Sequence, residues 1–385
     1  MRVRVSPQAV LATLADLVAI PSVNPMLTPG AAGEAEIAAY CARFLRDAGL
    51  EVHLQEAAPG RPNVVGIVRG TGGGRSLMLN GHLDTVGVEG MAAPFTPAQQ
   101  GNRLLGRGSS DMKASIAAML WTARAIQEAG ARLRGDLLIA CVCDEEYASI
   151  GSDTLVREFT ADAAIVTEPT DLNLCLAHRG FVWLEVETFG RAAHGSRPNE
   201  GIDAIVHMGR VLTALEGYAH DLAGRPHPAL VTPPSVHAST IQGGREWSMY
   251  PDHCRVQIER RTVTGETTES VVAEFEALLA DLRGQDPTFQ AAVRPVFGRE
   301  PFETAPTAPI AQTVAQAITA VRGAPGPLVG MTAWTDAALL QAAGIPTVLF
   351  GNTGGGWHSL DEYVEVDSVS QCADVLIETA LAWCG

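Results

Sequence analysis

The first half of the chain alternates two hydrophobic patterns. Short unbroken apolar runs, VVGIV (64–68), LMLN (77–80), LLIACVC (137–143) and AAIVT (163–167), are what strands buried on both faces require. Between the second and third lies SIAAMLWTARAIQEAG, in which Ile116, Met119, Leu120, Ala123 and Ile126 recur at helical spacing and Gly130 closes the segment. Strands alternating with a helix in this way predict an α/β layer around a largely parallel sheet. The N-terminal MRVRVSPQAVLATLADL reads as a strand fragment or tail leading into an amphipathic helix.

The pattern changes near Gly180. FVWLEVETF and RVQIERRTV alternate apolar and polar residues, as half-solvated antiparallel strands do. GIDAIVHMGRVLTALEG and TTESVVAEFEALLADL are helical, and GRPHPALVTPPS (224–235) is a proline-rich loop. Two strands with one face covered by two helices make a small α+β domain. Beyond Pro301 the helix PIAQTVAQAITAV and the strand PTVLF (346–350) restore the earlier character. The predicted fold is therefore α/β: a catalytic domain formed by residues 1–178 and 297–385, interrupted by a smaller α+β lid or dimerisation domain over 179–296. No internal repeat is visible.

A length of 385 residues suits this arrangement, and 46% hydrophobic against 18% charged residues supplies a core rather than a disordered chain. The net charge of −16 argues against a nucleic-acid surface, which needs clustered Lys and Arg. No uncharged apolar run reaches membrane-spanning length, and the N-terminus lacks the small-residue cleavage site of a signal peptide. The expected location is cytoplasmic. Seven scattered cysteines with no CxxC spacing, two of them (Cys141 and Cys143) inside an apolar run, agree with reduced core thiols.

Candidate chemistry gathers at the ends of the apolar runs. Taken alone, His82 and Asp84 in LMLNGHLDTVGV fit a turn, because Asn80-Gly81 is a strong hairpin signal. Repetition changes that reading. LMLNG leads to His82 and Asp84, LLIACVCD to Glu145 and Glu146, and AAIVT to Glu168. In a parallel sheet those ends share one edge, where ligands bind. So many acids in one place repel each other unless a cation sits among them. Asp111, in GRGSSDMKAS, stands at a helix start, where capping is open to it as to Ser109 and Ser110. His358, in GGGWHSLDEYV, follows the late strand and a glycine run.

GHLDTV, GRGSSDMKAS, CDEEYASIGS, TEPT, GRAAHGSRPNEGIDAI, WTDA and GGGWHSLDEYV, in that order from about residue 12 to 380, resemble the two-zinc amidohydrolase and metallopeptidase family. That family includes acetylornithine deacetylase, succinyl-diaminopimelate desuccinylase, aminoacylase and the glutamate-releasing carboxypeptidases. The resemblance implies two divalent ions, with His82 and Glu168 holding one, Glu146 and His358 the other, and Asp111 bridging them. It also implies that Asp84 orients His82 by accepting its second ring N–H, as residues i and i+2 of an extended chain project alike. Two imidazoles and three carboxylates without cysteine suit zinc, or cobalt or manganese. Glu145 is the surplus acid, suited to act as general base and then acid with a metal-bridged hydroxide.

Glu168 favours an N-acyl amino acid or short peptide-like substrate with a free carboxylate, since aminopeptidase members of the family tend to have Asp there and N-carbamoyl amino acid hydrolases have His. Arg261 lies on the strand face opposite Val256, Ile258 and Arg260, and matches the family's carboxylate-binding arginine. His194 matches a histidine that, in dimeric relatives, enters the partner's active site to stabilise the anionic amide oxygen; a homodimer through residues 180–295 follows. One departure stands out: where many relatives carry Asn three residues before a proline, this chain reads Trp247-Ser248-Met249-Tyr250-Pro251. An N-carbamoyl amino acid hydrolase and a non-catalytic metal-dependent binding protein are the competing readings; Glu168 disfavours the first, and retention of Glu145 and His194 the second.

Overall fold

The computed structural model describes residues 3–385 and divides into two units. The first comprises the chain up to Leu176 together with Thr304–Val329 and Thr335–Gly385. Its sheet runs, neighbour by neighbour, Glu51–Ala58, Arg61–Val68, Leu137–Val142, Leu77–His82, Ala163–Val166, Thr347–Leu349 and Leu174–His178. The four strands from Leu137–Val142 to Thr347–Leu349 are mutually parallel, as their unbroken apolar runs require. Arg61–Val68, which contains VVGIV, is instead antiparallel to both neighbours. Its outer partner Glu51–Ala58 carries no apolar run and buries only Gln55 fully, so hydrophobic pattern gives no warning of it.

Register decides where the parallel strands stop. His82 pairs with Val142, Asn80 with Val166, and Leu349 with Val166, so their C-terminal ends lie along one edge. Asn80-Gly81, expected to turn the chain, sits inside the strand Leu77–His82. A Cβ on Gly81 would stand 2.8 Å from Met112 Cε and 3.0 Å from Ile116 Cδ1. Glycine is there because the start of the helix Lys113–Glu128 passes directly over the strand. That helix is buried along most of its length and packs against Pro7–Ala19 and Val366–Cys384. Ser6 caps Pro7–Ala19, with no strand in the described residues before it. A small sheet joins Gly354–Gly355, Tyr363–Glu365, Arg103–Leu105 and Ala98–Gln100.

The second unit, Ala177–Glu303 with Gly330–Trp334, is built on an antiparallel sheet ordered Ser235–Gly243, His253–Thr262, Gly180–Phe189 and Gln290–Arg299. Helices Ala204–Ala223 and Thr268–Gln285 cover one face, enclosing Val182, Leu184, Val186, Val256 and Ile258 with Val211 and Phe275. Four strands stand where two were expected. The two additional ones are edges: Ser235–Gly243 is almost wholly exposed, and Gln290–Arg299 carries Pro295 beside a register shift. Edge strands bury little and tolerate proline, which erases the alternation that would reveal them. All seven cysteines are buried and none is in a disulfide. No described helix is long and apolar enough to cross a membrane.

Candidate metal centre

The common edge of the parallel strands gathers seven of the residues selected from sequence. His82, buried, ends its strand with Nε2 lying 3.1 Å from Asp111 Oδ1, 3.8 Å from Glu168 Oε1 and 4.0 Å from Glu145 Oε2. His358 brings Nε2 to 3.4 Å from Asp111 Oδ2 and 3.1 Å from Glu146 Oε2. The two oxygens of Asp111 thus face two different imidazoles. Ligand atoms of His82, Glu145 and Glu168 lie within 4.8 Å of one another, as do those of His82, Asp111 and Glu146. Adjacent Glu145 and Glu146 thus fall in different groups that share His82, and only Glu146 also pairs with His358. Glu168 Oε1 is buried with no hydrogen-bond partner, which is costly for a carboxylate oxygen unless a cation meets it. The nitrogen and oxygen donors fit divalent ions of the zinc, cobalt and manganese type.

Asp84 departs from its expected task. His82 Nδ1 lies 3.0 Å from the backbone oxygen of Asp84, whereas the carboxylate Oδ1 stands 3.6 Å away, beyond hydrogen-bond range. The carboxylate instead accepts the Glu145 N–H on Oδ1 and the Glu146 N–H on Oδ2, both at 3.1 Å, with the Asn24 amide donating to Oδ2 at 2.8 Å. Asn24 also donates to Asp144 (3.0 Å), which pairs with Arg61 (2.6 Å), and Arg61 pairs with Glu34. All of these are buried. Asn24 and Arg61 carried no signal in the sequence, because nothing local to either marks the partners that the fold delivers.

The electrostatics express a demand for positive charge. Burial first, then the Glu168 charge, pushes the Glu145 carboxyl well above the usual carboxylate range. Burial likewise raises Glu168 to about 8 and Asp84 to about 7. His82 is pushed down by burial, yet the Asp111 hydrogen bond and the surrounding carboxylates outweigh it and raise the ring well above the ordinary imidazole range. His358 is raised to about 10, chiefly by Asp111 and then Glu146. Asp111 is driven down despite its burial, because both imidazoles donate to it. Protons or metal cations can supply the charge that these acids share.

His194 and Arg261 belong to the second unit. His194 is exposed, and its Nδ1 accepts the Ser196 N–H at 3.1 Å, which leaves the ring proton on Nε2. Its loop is stitched to the exposed Trp247 segment through a bridge between His194 and Met249 and a 2.7 Å bond from Gly195 N to Ser248 O. Arg260 is wholly buried under the helices, with Tyr218 accepting from it at 3.0 Å. Arg261 lies on the opposite face, donating to Glu259 at 2.7 Å and placing its guanidinium 5.6 Å from the Phe181 ring centroid. Beside it is Arg179, which sequence reading passed over. Burial and the Arg261 charge both lower the Arg179 pKa, and its Nε is buried without a partner.

Residues 78–382 match the peptidase family M20/M25/M40, so the chain belongs to that family. Acetylornithine deacetylase of Myxococcus xanthus is 31% identical over 98% of this chain and 98% of its own length. The N-formyl-4-amino-5-aminomethyl-2-methylpyrimidine deformylase of Bacillus subtilis is 28% identical over 92% of this chain and 91% of its own. A dinuclear metal-binding M20 peptidase from B. subtilis shares the fold, with a TM-score of 0.74 at 16% identity over 98% of each chain.

Proposed function

We propose that this M20-family hydrolase cleaves the amide bond of an N-acyl amino acid, or of a peptide-like substrate with a free carboxylate, using two divalent ions. Zinc is the first choice, with cobalt or manganese as substitutes. The observation that carries the reading is the divided Asp111 carboxylate, one oxygen at His82 and the other at His358. On this reading His82 and Glu168 hold one ion, Glu146 and His358 the other, and Asp111 both. Ions bound there would polarise the substrate carbonyl and acidify a water molecule.

The chain's own groups move the proton and place the substrate. Glu145, enclosed and backed by Asp84 through its backbone, accepts a proton from the attacking water and returns it to the departing amine. Asp84 is a positioning residue rather than a participant. Arg261 meets the substrate carboxylate through its planar fork. His194, with its proton on Nε2, donates to the developing amide oxyanion of a second copy's substrate, pairing two chains through residues 180–295. The exposed edge strand Ser235–Gly243 supports that pairing.

Similarity to the deformylase favours a second reading, in which the acyl group is formyl and the amine portion is an aminopyrimidine without a carboxylate. One experiment separates them: N-acetyl, N-formyl, N-succinyl, N-carbamoyl and dipeptide substrates are assayed while metal is quantified on the same sample. About two ions per chain and reversible loss of activity on chelation are expected. Full activity in a metal-free preparation ends both readings.

A further inference from the structure

Asp111 is carried by a segment without regular structure, between Leu105 at the end of one short strand and Lys113 at the start of a helix. Gly106 and Gly108 within it adopt positive φ, so sheet hydrogen bonds cannot fix its path. What meets it is Glu362, whose side chain is 1% exposed. Its Oε1 accepts the backbone N–H groups of Ser110 and Asp111, both at 3.0 Å. Its Oε2 accepts the Gly108 N–H at 2.9 Å and Arg107 Nη1 at 2.7 Å. The backbone oxygen of Glu362 also takes the Gly106 N–H at 3.2 Å.

The same contacts reach the His358 turn. Arg107, held by Glu362, donates to Ser359 O at 3.0 Å, and the Trp357 indole donates to Ser110 Oγ at 3.1 Å. His358 itself sits at φ 59, a left-handed conformation that a histidine keeps only when its neighbours hold it. Asp111 and His358 are thus tied together through one buried carboxylate, which holds the Asp111 backbone directly and reaches the His358 turn through Arg107.

We propose that Glu362 is the positioning residue of the second half of the metal centre: it sets the Asp111 loop against the His358 turn, so that the ion shared by Asp111, Glu146 and His358 depends on it. This rests on the two-ion reading above. A glutamine at 362 has nearly the same shape but offers one oxygen for four donors and aims an amide N–H₂ at groups that also donate. The other ion shares Asp111 but also has His82 and Glu168, neither of which hydrogen-bonds to Glu362, so it should be weakened far less.

Stepwise addition of Co²⁺ to chelated, refolded-free apoprotein, followed by visible absorbance and by equilibrium metal content, tests this. Wild type is expected to take up two equivalents. E362Q is expected to bind the first with little change and the second about 10–100-fold more weakly, the usual cost of losing a group that orients ligands. Activity lost at low free metal should return as metal is raised, which a general folding defect would not allow. If E362Q does not fold, E362D, which keeps the charge but cannot span all four donors, is read in the same way. Wild type binding two equivalents while the folded variant binds both with unchanged affinity overturns the inference alone; wild type binding fewer than two overturns the two-ion reading beneath it.

Discussion

Asp84 Oδ1 receives the backbone N–H of Glu145 at 3.1 Å, and Oδ2 that of Glu146 at the same distance. One buried carboxylate therefore sets the turn that presents both acids. Asp84→Asn keeps the size but substitutes a donor for one acceptor. It should cut kcat about 10–100-fold while the fold persists. Circular dichroism and steady-state kinetics on one preparation check this, and unchanged kcat would show that the turn holds without Asp84.

Glu145 and Glu146 should separate cleanly. Glu145→Gln is expected to lower kcat by about 10²–10⁴-fold, as for a lost general base, with metal content retained. Glu146→Gln should lose metal as well. Equal metal loss in the two variants would reverse their roles.

The raised carboxyl groups fix the sign of a pH effect. In the metal-free protein Glu168 titrates near 8 and Asp84 near 7, both well above their unfolded values, so the folded state binds more protons than the unfolded one between about pH 5 and 7. Stability of the chelated protein should fall as pH rises across that window. Lys113, lowered to about 7 by burial, acts in the opposite direction only above that pH. Thermal melts of chelated protein at pH 5 and 7 measure the difference. Metal uptake at pH 7 should release protons, detectable in weak buffer, and bring back the stability lost.

Arg261→Ala should raise KM steeply for a substrate with a free carboxylate and little for its amide. Equal effects on the two would pass the carboxylate to another residue, with Arg179 next to be substituted. If the formylated aminopyrimidine is the substrate, the variant should leave its KM near wild type.

His194→Ala should lose kcat, by about 100-fold or more for a lost oxyanion donor, with metal intact. Mixing it with Glu145→Gln should restore part of the activity, because each heterodimer then owns one site with both groups. A mixture that stays inactive after proven subunit exchange, or a fully active monomer, removes His194 from the partner's site.

Hydrophobic patterning is a local property, and it was enough to locate the four parallel strands and their ends. His82, Glu145, Glu146 and Glu168 follow directly from that, since each lies within a few residues of a buried run whose direction the parallel sheet dictates. Even Asp111 and His358 were legible, through motifs that resemble a family rather than through any spacing of their own. Pattern failed where burial is slight or where one residue answers to a distant one. Ser235–Gly243 and Gln290–Arg299 are edges that bury little of their surface, and Gly81 looked like a turn because the helix start that crowds it lies some thirty residues on. The carboxylate of Asp84 was assigned to its nearest imidazole, yet it serves N–H groups more than sixty residues away. Glu362 stood in plain view beside His358, but the four donors that define it arrive from around residue 110. A side chain's type and its neighbours in sequence determine what it can bind; only the packed chain determines which donors stand within 3 Å of it, because hydrogen bonding is short-ranged and the segments that meet are far apart in the chain.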